Sequence, residues 1–254
     1  MQHPKKMLYH KKFNQLWNRF QNGYKPPIYN PEQAADSNGR KNSLTLSIHI
    51  DQPDIIRQIQ SVTDEIRHIP GVYLMPPEYY HITVKWLGFL TDHKHHRSDI
   101  ESPMLERILE QADLILSHLP EFSIQLGRVN GLASFIVLEV EDRGAIAHIQ
   151  QQFHQDAPLV PTYSIEGEHW LPHLSIAGLN NLDGLSTLKA KMRELRHIEI
   201  GEIHVTHVDL LQAVLQKPCP QCRILRSFSL AHLSYVDALS CDIYSRGEAF
   251  ARGR

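Results

Sequence analysis

Seventeen histidines stand among the 254 residues of this chain. Imidazole titrates near neutral pH, so it can take a proton, return it, or ligate a metal. Two of the seventeen sit in matched settings. HITV at 81–84 and HLSI at 173–176 each place an imidazole two residues before a hydroxyl, with aliphatic residues at the second and fourth positions. On a β-strand that spacing sends His81 with Thr83, and His173 with Ser175, to one face. Ile82, Val84, Leu174 and Ile176 go to the other. Polar side chains on one face of an apolar strand are expensive unless they line a cleft or find partners.

Such a pair suits acid–base chemistry. One imidazole can take a proton from an attacking group while the other gives one to a leaving group, and the hydroxyls can donate to oxygens on which charge builds. Which histidine is the base is left open by the residues alone. Lys85 shares strand parity with His81 and Thr83 and would add positive charge at the groove edge; the alternative is a solvated strand-end lysine. Tyr79 has the same parity and Tyr80 adjoins it, so both are candidates to stack a base, against plain aromatic packing. The bare His-x-Ser/Thr spacing carries little weight, because composition alone gives about 1.6 occurrences and the chain has five, at His81, His96, His173, His204 and His232. Only the first and third keep both aliphatic flanks. They lie 92 residues apart, with Gly88 and Gly178 closing their strands.

The elements needed to position them read as two similar units. In the first, alternation and β-branching predict strands at 44–50, 81–90 and from Phe122 to Val129, with helices at 53–69 and 102–119 between them. In the second, strands at 134–140, 173–179 and 203–215 alternate with helices at 143–155 and 184–198, and 223–233 returns as a hairpin across KPCPQ. The expected fold is α+β: duplicated β-α-β units forming a bilobal body, two antiparallel sheets around a central groove. That body spans 43–235, preceded by a basic extension (1–42) and followed by a C-terminal tail (236–254). Within the extension, Tyr9, Phe13, Leu16, Trp17, Phe20 and Tyr24 recur every three or four residues, a helical stripe that packs on the body or meets a membrane or nucleic acid.

HITVKWLG and HLSIAGL in a duplicated α+β chain resemble the 2H phosphoesterase superfamily, in its 2′–5′ RNA ligase and cyclic nucleotide phosphodiesterase branch. The resemblance covers roughly 43–235. It implies a groove between two lobes, both histidines facing one phosphate, and no metal or other cofactor. Ser175 stands where the family often has Thr, which keeps the hydroxyl. The activity implied is hydrolysis of a 2′,3′-cyclic phosphate or a 2′–5′ phosphodiester, with reversible 2′–5′ ligation as its converse. The alternatives from other classes are a nucleotide-binding module without catalysis and a His-rich metal hydrolase.

Charge and composition bound the partners. Residues 1–42 carry eight Lys/Arg against two acids, leaving 18 basic and 26 acidic groups on the rest. An acidic body is a poor match for a long polyanion, so a nucleotide or a short RNA end is the expected partner. No apolar run approaches the ~18–20 residues of a membrane span. Three cysteines make no disulfide scaffold, and the expectation is a cytoplasmic monomer. The other His and Cys clusters have bland readings: DHKHHR (92–97) as a solvated loop, His204 and His207 on opposite strand faces, and Cys219/Cys222 as reduced thiols on a hairpin turn.

Overall fold

A computed structural model describes residues 4–30, 40–157, 159–161, 166, 170–216 and 219–234. The tail at 236–254 and most of the linker before Arg40 lie outside the described residues.

The described residues form eleven strands: β1 (Asn42–His49), β2 (Val72–Leu74), β3 (His81–Leu90), β4 (Asp99–Ile100), β5 (Pro120–Leu132), β6 (Phe135–Glu141), β7 (His173–Leu179), β8 (Glu199–Val205), β9 (His207–Val214), β10 (Gln221–Ser229) and β11 (Ala231–Ser234). Among the described residues five helices accompany them: α1 (Pro4–Gln21), α2 (Pro53–Asp64), α3 (Ser102–Leu116), α4 (Ala145–Asp156) and α5 (Leu185–Glu194). The strands run in the order β10-β9-β1-β3-β7-β6-β5-β11, with β2 on β7, β4 on β3 and β8 on β5. Neighbours are antiparallel except β3–β4 and β5–β11. Between described residues the β3 and β7 ladder consists of one pair, Ile82 with Leu174. That pair is the seam between the lobe of β10, β9, β1 and β3 and the lobe of β7, β6, β5 and β8.

The lobes do not coincide with the two sequence units. The third strand of the first unit, β5, pairs with β6 in the second lobe. The expected strand over 203–215 breaks at Thr206: β8 pairs with β5, whereas β9 crosses to β1 in the first lobe. Helices are exchanged too, with α2 against β7 and β8, and α4 against β3. Burial explains why α2 sits there. Pro53 starts it, Ile55, Ile59 and Val62 form its buried stripe, and Ile55 packs at Gly201 of β8. The helix ends at Asp64, five residues short of the expected end, and Ile66 and Ile69 reach the core from turns instead.

The aromatic stripe of α1 packs on the body. Tyr9, Phe13 and Phe20 are buried, and Trp17 is half-buried against the same core. Phe20 lies over Gly131, where any Cβ would collide with the ring. Asn130 Nδ2 donates to the Phe13 carbonyl at 2.9 Å, and the Arg196 guanidinium stacks on Trp17 at 4.6 Å. Lys11 and Arg19 are left exposed.

Candidate active site

The two motif strands are built alike, down to an irregularity that alternation cannot show. On β3 the ladder to β1 pairs Thr83 with Ser47 and then Lys85 with Leu46, so Val84 is an extra residue. On β7 the ladder to β6 pairs Ser175 with Val137 and then Ala177 with Ile136, so Ile176 is extra. Each bulge falls three residues after the motif histidine and leaves a carbonyl outside regular pairing. Gln150 Nε2 from α4 donates to the Val84 carbonyl at 2.7 Å, and the Met75 N–H donates to that of Ile176 at 3.0 Å. The fourth, aliphatic position of each motif is therefore the bulged one.

The bulges decide which side chains reach the groove. His81, Thr83, His173 and Ser175 are all half-buried, while Ile82, Val84, Leu174 and Ile176 are buried on the opposite face. Directly opposed residues of an antiparallel ladder share a face. With Ile82 opposite Leu174, all four polar groups lie on one side of the seam, His81 towards Ser175 and Thr83 towards His173. Neither hydroxyl makes a side-chain hydrogen bond to another described residue. Both are free to donate to a ligand.

Lys85 requires a correction. The Val84 bulge turns it to the core face beside Leu46, where it is 1% exposed. Its Nζ donates to both Glu166 carboxylate oxygens, at 2.9 and 2.8 Å, and to the Pro161 carbonyl at 2.9 Å. It braces the chain leading into β7 and offers no charge to the groove. Tyr80 is corrected as well: it is 1% exposed, part of the core, and its ring cannot stack on a ligand. Tyr79 is placed differently. From the short 3₁₀ turn Pro77–Tyr79 its ring meets His81 edge-on, with centroids 5.0 Å apart. It also lines a cavity of about 840 Å³ with Glu78, Cys219, Cys222, Arg223 and Gln212.

Both imidazoles are held in the same way. His81 Nδ1 lies 2.6 Å from the Tyr79 carbonyl and His173 Nδ1 lies 2.7 Å from the Leu171 carbonyl. A carbonyl only accepts, so each Nδ1 carries the hydrogen and each Nε2 keeps its lone pair in the neutral ring. Burial pushes the His81 pKa down to about 4, helped by the neighbouring His173 and His49 and opposed by the Tyr79 carbonyl. Burial also lowers that of His173, against the Leu171 carbonyl. Both shifts favour the neutral form of the rings. A bound phosphate supplies the negative charge that would let one of them hold a proton.

His49 was not singled out from sequence. It stands directly across the β1–β3 ladder from His81, on the same face as Thr45 and Ser47. The signal was available: in LTLSIHI the polar residues Thr45, Ser47 and His49 alternate strictly with aliphatics. Across β6–β7 the residue opposite His173 is Glu139, whose carboxylate is engaged by Arg196 at 2.5 Å and Asn130 at 2.7 Å.

The remaining clusters have local roles. In the 92–97 loop the His95 and His96 N–H groups donate to Asp99 at 2.9 and 2.7 Å, and Arg40 pairs with the same carboxylate at 3.4 Å. His204 and His232 share Glu121 at the edge of β5, at 2.9 and 3.1 Å. Among the described residues no group of three His, Cys, Asp or Glu side chains is arranged to hold a metal ion. No helix among them is long and apolar enough to cross a membrane.

An α+β body whose lobes meet between two His-x-Ser/Thr strands is the architecture of 2H phosphoesterases. The chain belongs to the 2′-5′ RNA ligase superfamily, whose family model matches residues 51–216. It is 20% identical over 192 residues to an RNA 2′,3′-cyclic phosphodiesterase from Methanocaldococcus jannaschii, covering 73% of this chain and all of that protein. Solved structures share the fold. The TT0787 protein of Thermus thermophilus superposes with a TM-score of 0.56 at 15% identity, covering 76% of this chain and 100% of that one. E. coli LigT complexed with NADP+ gives 0.53 at 13% identity, covering 76% and 99%. The residues matched by the family model exclude α1.

Proposed function

We propose that this protein is a phosphodiesterase that opens a 2′,3′-cyclic phosphate, or cleaves a 2′–5′ linkage, on a nucleotide or short RNA end. The observation that carries the reading is the pair of Nδ1-anchored imidazoles, each with its Nε2 lone pair free on the groove face beside the Ile82–Leu174 seam. The name of the M. jannaschii relative and the nucleotide bound to LigT agree with such a substrate.

In this mechanism one Nε2 takes the proton of the attacking water. The water oxygen then bonds to phosphorus, and the second imidazole, protonated, gives its Nε2 proton to the departing ribose oxygen. Thr83 and Ser175 donate to the non-bridging oxygens as charge builds there. An extra imidazole, His49, flanks His81 and disfavours charge on it, which suits His81 to the base and His173 to the acid. With a ribose 5′-hydroxyl attacking a 2′,3′-cyclic phosphate in place of water, the same steps make a 2′–5′ linkage as the ring oxygen O3′ departs with the proton. Tyr79, beside His81 and lining the 840 Å³ cavity, is the surface on which a base would stack. Residues 43–235 form the catalytic body, and α1 buttresses its second lobe.

The test is turnover of adenosine 2′,3′-cyclic phosphate by purified protein in excess EDTA. Release of a nucleoside monophosphate supports the reading. Tight nucleotide binding without turnover across cyclic and 2′–5′ substrates would replace it with a binding module.

A further inference from the structure

His49 has the placement of a working group and no hydrogen-bond partner at Nδ1 among the described residues to explain it. It lies opposite His81 in the β1–β3 ladder, so their Cβ atoms are about 4.5–5.5 Å apart on the same face. Its Nδ1 is buried and has no hydrogen-bond partner among the described residues. A buried polar atom left unpaired costs about 1–3 kcal/mol, so an unpaired one at a groove asks for a ligand. The contrast with its neighbours is direct. His81 and His173 each commit Nδ1 to a backbone carbonyl, whereas His49 commits its own to nothing. The equivalent place in the second lobe holds Glu139, an acceptor already filled by Arg196 and Asn130. Among the described residues the groove therefore has a third imidazole on the His81 side.

We propose that His49 contacts the substrate, donating its Nδ1–H to a non-bridging oxygen of the phosphate that His81 and His173 straddle. Attack on a phosphodiester adds an oxygen to phosphorus and raises the charge on the non-bridging oxygens. A donor aimed there binds the transition state more strongly than the ground state. No bond to His49 forms or breaks, and it transfers no proton. The inference rests on the phosphodiesterase reading and adds to it a residue outside both His-x-Ser/Thr motifs.

The experiment measures kcat and KM for adenosine 2′,3′-cyclic phosphate in wild type, His49→Ala, His49→Asn and His49→Gln, with a thermal melt for each. Loss of a transition-state donor lowers kcat about 10²-fold. His49→Ala is expected to show that loss with KM changed by no more than about threefold. An asparagine amide reaches the position of Nδ1, so His49→Asn regains at least about tenfold. A glutamine amide reaches towards the position of Nε2, and His49→Gln stays slow. Wild-type kcat in His49→Ala overturns the proposal, as does His49→Asn as slow as His49→Gln when both melt like wild type. The second comparison stands even if the alanine variant does not fold. Absence of turnover by wild type removes the phosphodiesterase reading itself, a different outcome from wild-type turnover that ignores position 49.

Discussion

Ile82 of β3 and Leu174 of β7 form the ladder pair that joins the two lobes, and each is the residue immediately after a motif histidine. The seam of the fold and the centre of the candidate site are thus the same place. Enlarging or polarising either residue should disturb both. For Ile82→Asn or Leu174→Asn, burial of an unpaired amide costs about 1–3 kcal/mol, and kcat should fall as the imidazoles lose register. A variant that melts several degrees lower yet keeps wild-type kcat below its melting temperature would separate the seam from the site.

Lys85 gives the sharpest contrast between pattern and structure. Lys85→Met removes the cation from the buried pair with Glu166, which costs about 3–5 kcal/mol. The melting temperature should drop, while KM for a cyclic phosphate, measured where the variant is folded, should stay within about twofold. Adding Glu166→Leu should restore most of the stability. A large rise in KM with stability intact would return Lys85 to the phosphate.

The His81 pKa near 4 has a signed consequence for stability. In the unfolded chain a histidine titrates near 6.5. Between about 6.5 and 4 the unfolded state binds the proton that folded His81 refuses, so stability falls as the pH drops through that window. His173 adds in the same direction. Melting curves across the window should flatten in His81→Ala. For activity, the acid limb of kcat/KM reports the base of the free enzyme and should lie well below 6.5. An acid limb at or above 6.5 would contradict neutral, buried imidazoles.

The bulge at Val84 supplies another test. Gln150→Leu removes the donor to its carbonyl, leaving a buried acceptor unpaired at about 1–3 kcal/mol. Because Thr83 is the residue before the bulge, kcat should fall together with stability. Lower stability with unchanged kcat would show that the bulge is held without Gln150.

Much of this was legible in the sequence. HITV and HLSI are visible because polar and aliphatic residues alternate, and their aliphatic second positions are what the seam buries. What alternation cannot register is an inserted residue, so the parity of Lys85 was misread one step beyond Val84. Tyr80 failed for a simpler reason: an aromatic beside the site is indistinguishable in sequence from an aromatic beneath it. The exchange of β5 and β9 between lobes is a matter of long-range pairing. The alternating run through Thr206 gives no local sign that its two ends serve different sheets. His49 was hidden by its count, one of seventeen, until the register set it against His81.

The most direct test compares kcat/KM for adenosine 2′,3′-cyclic phosphate, in excess EDTA, among wild type, His81→Ala, His173→Ala and the double variant. Two groups acting as one acid–base unit are non-additive. Each single variant should lose about 10²–10⁴-fold, and the double variant should lose little more than the worse single. Wild-type activity surviving in the double variant would contradict the assignment outright.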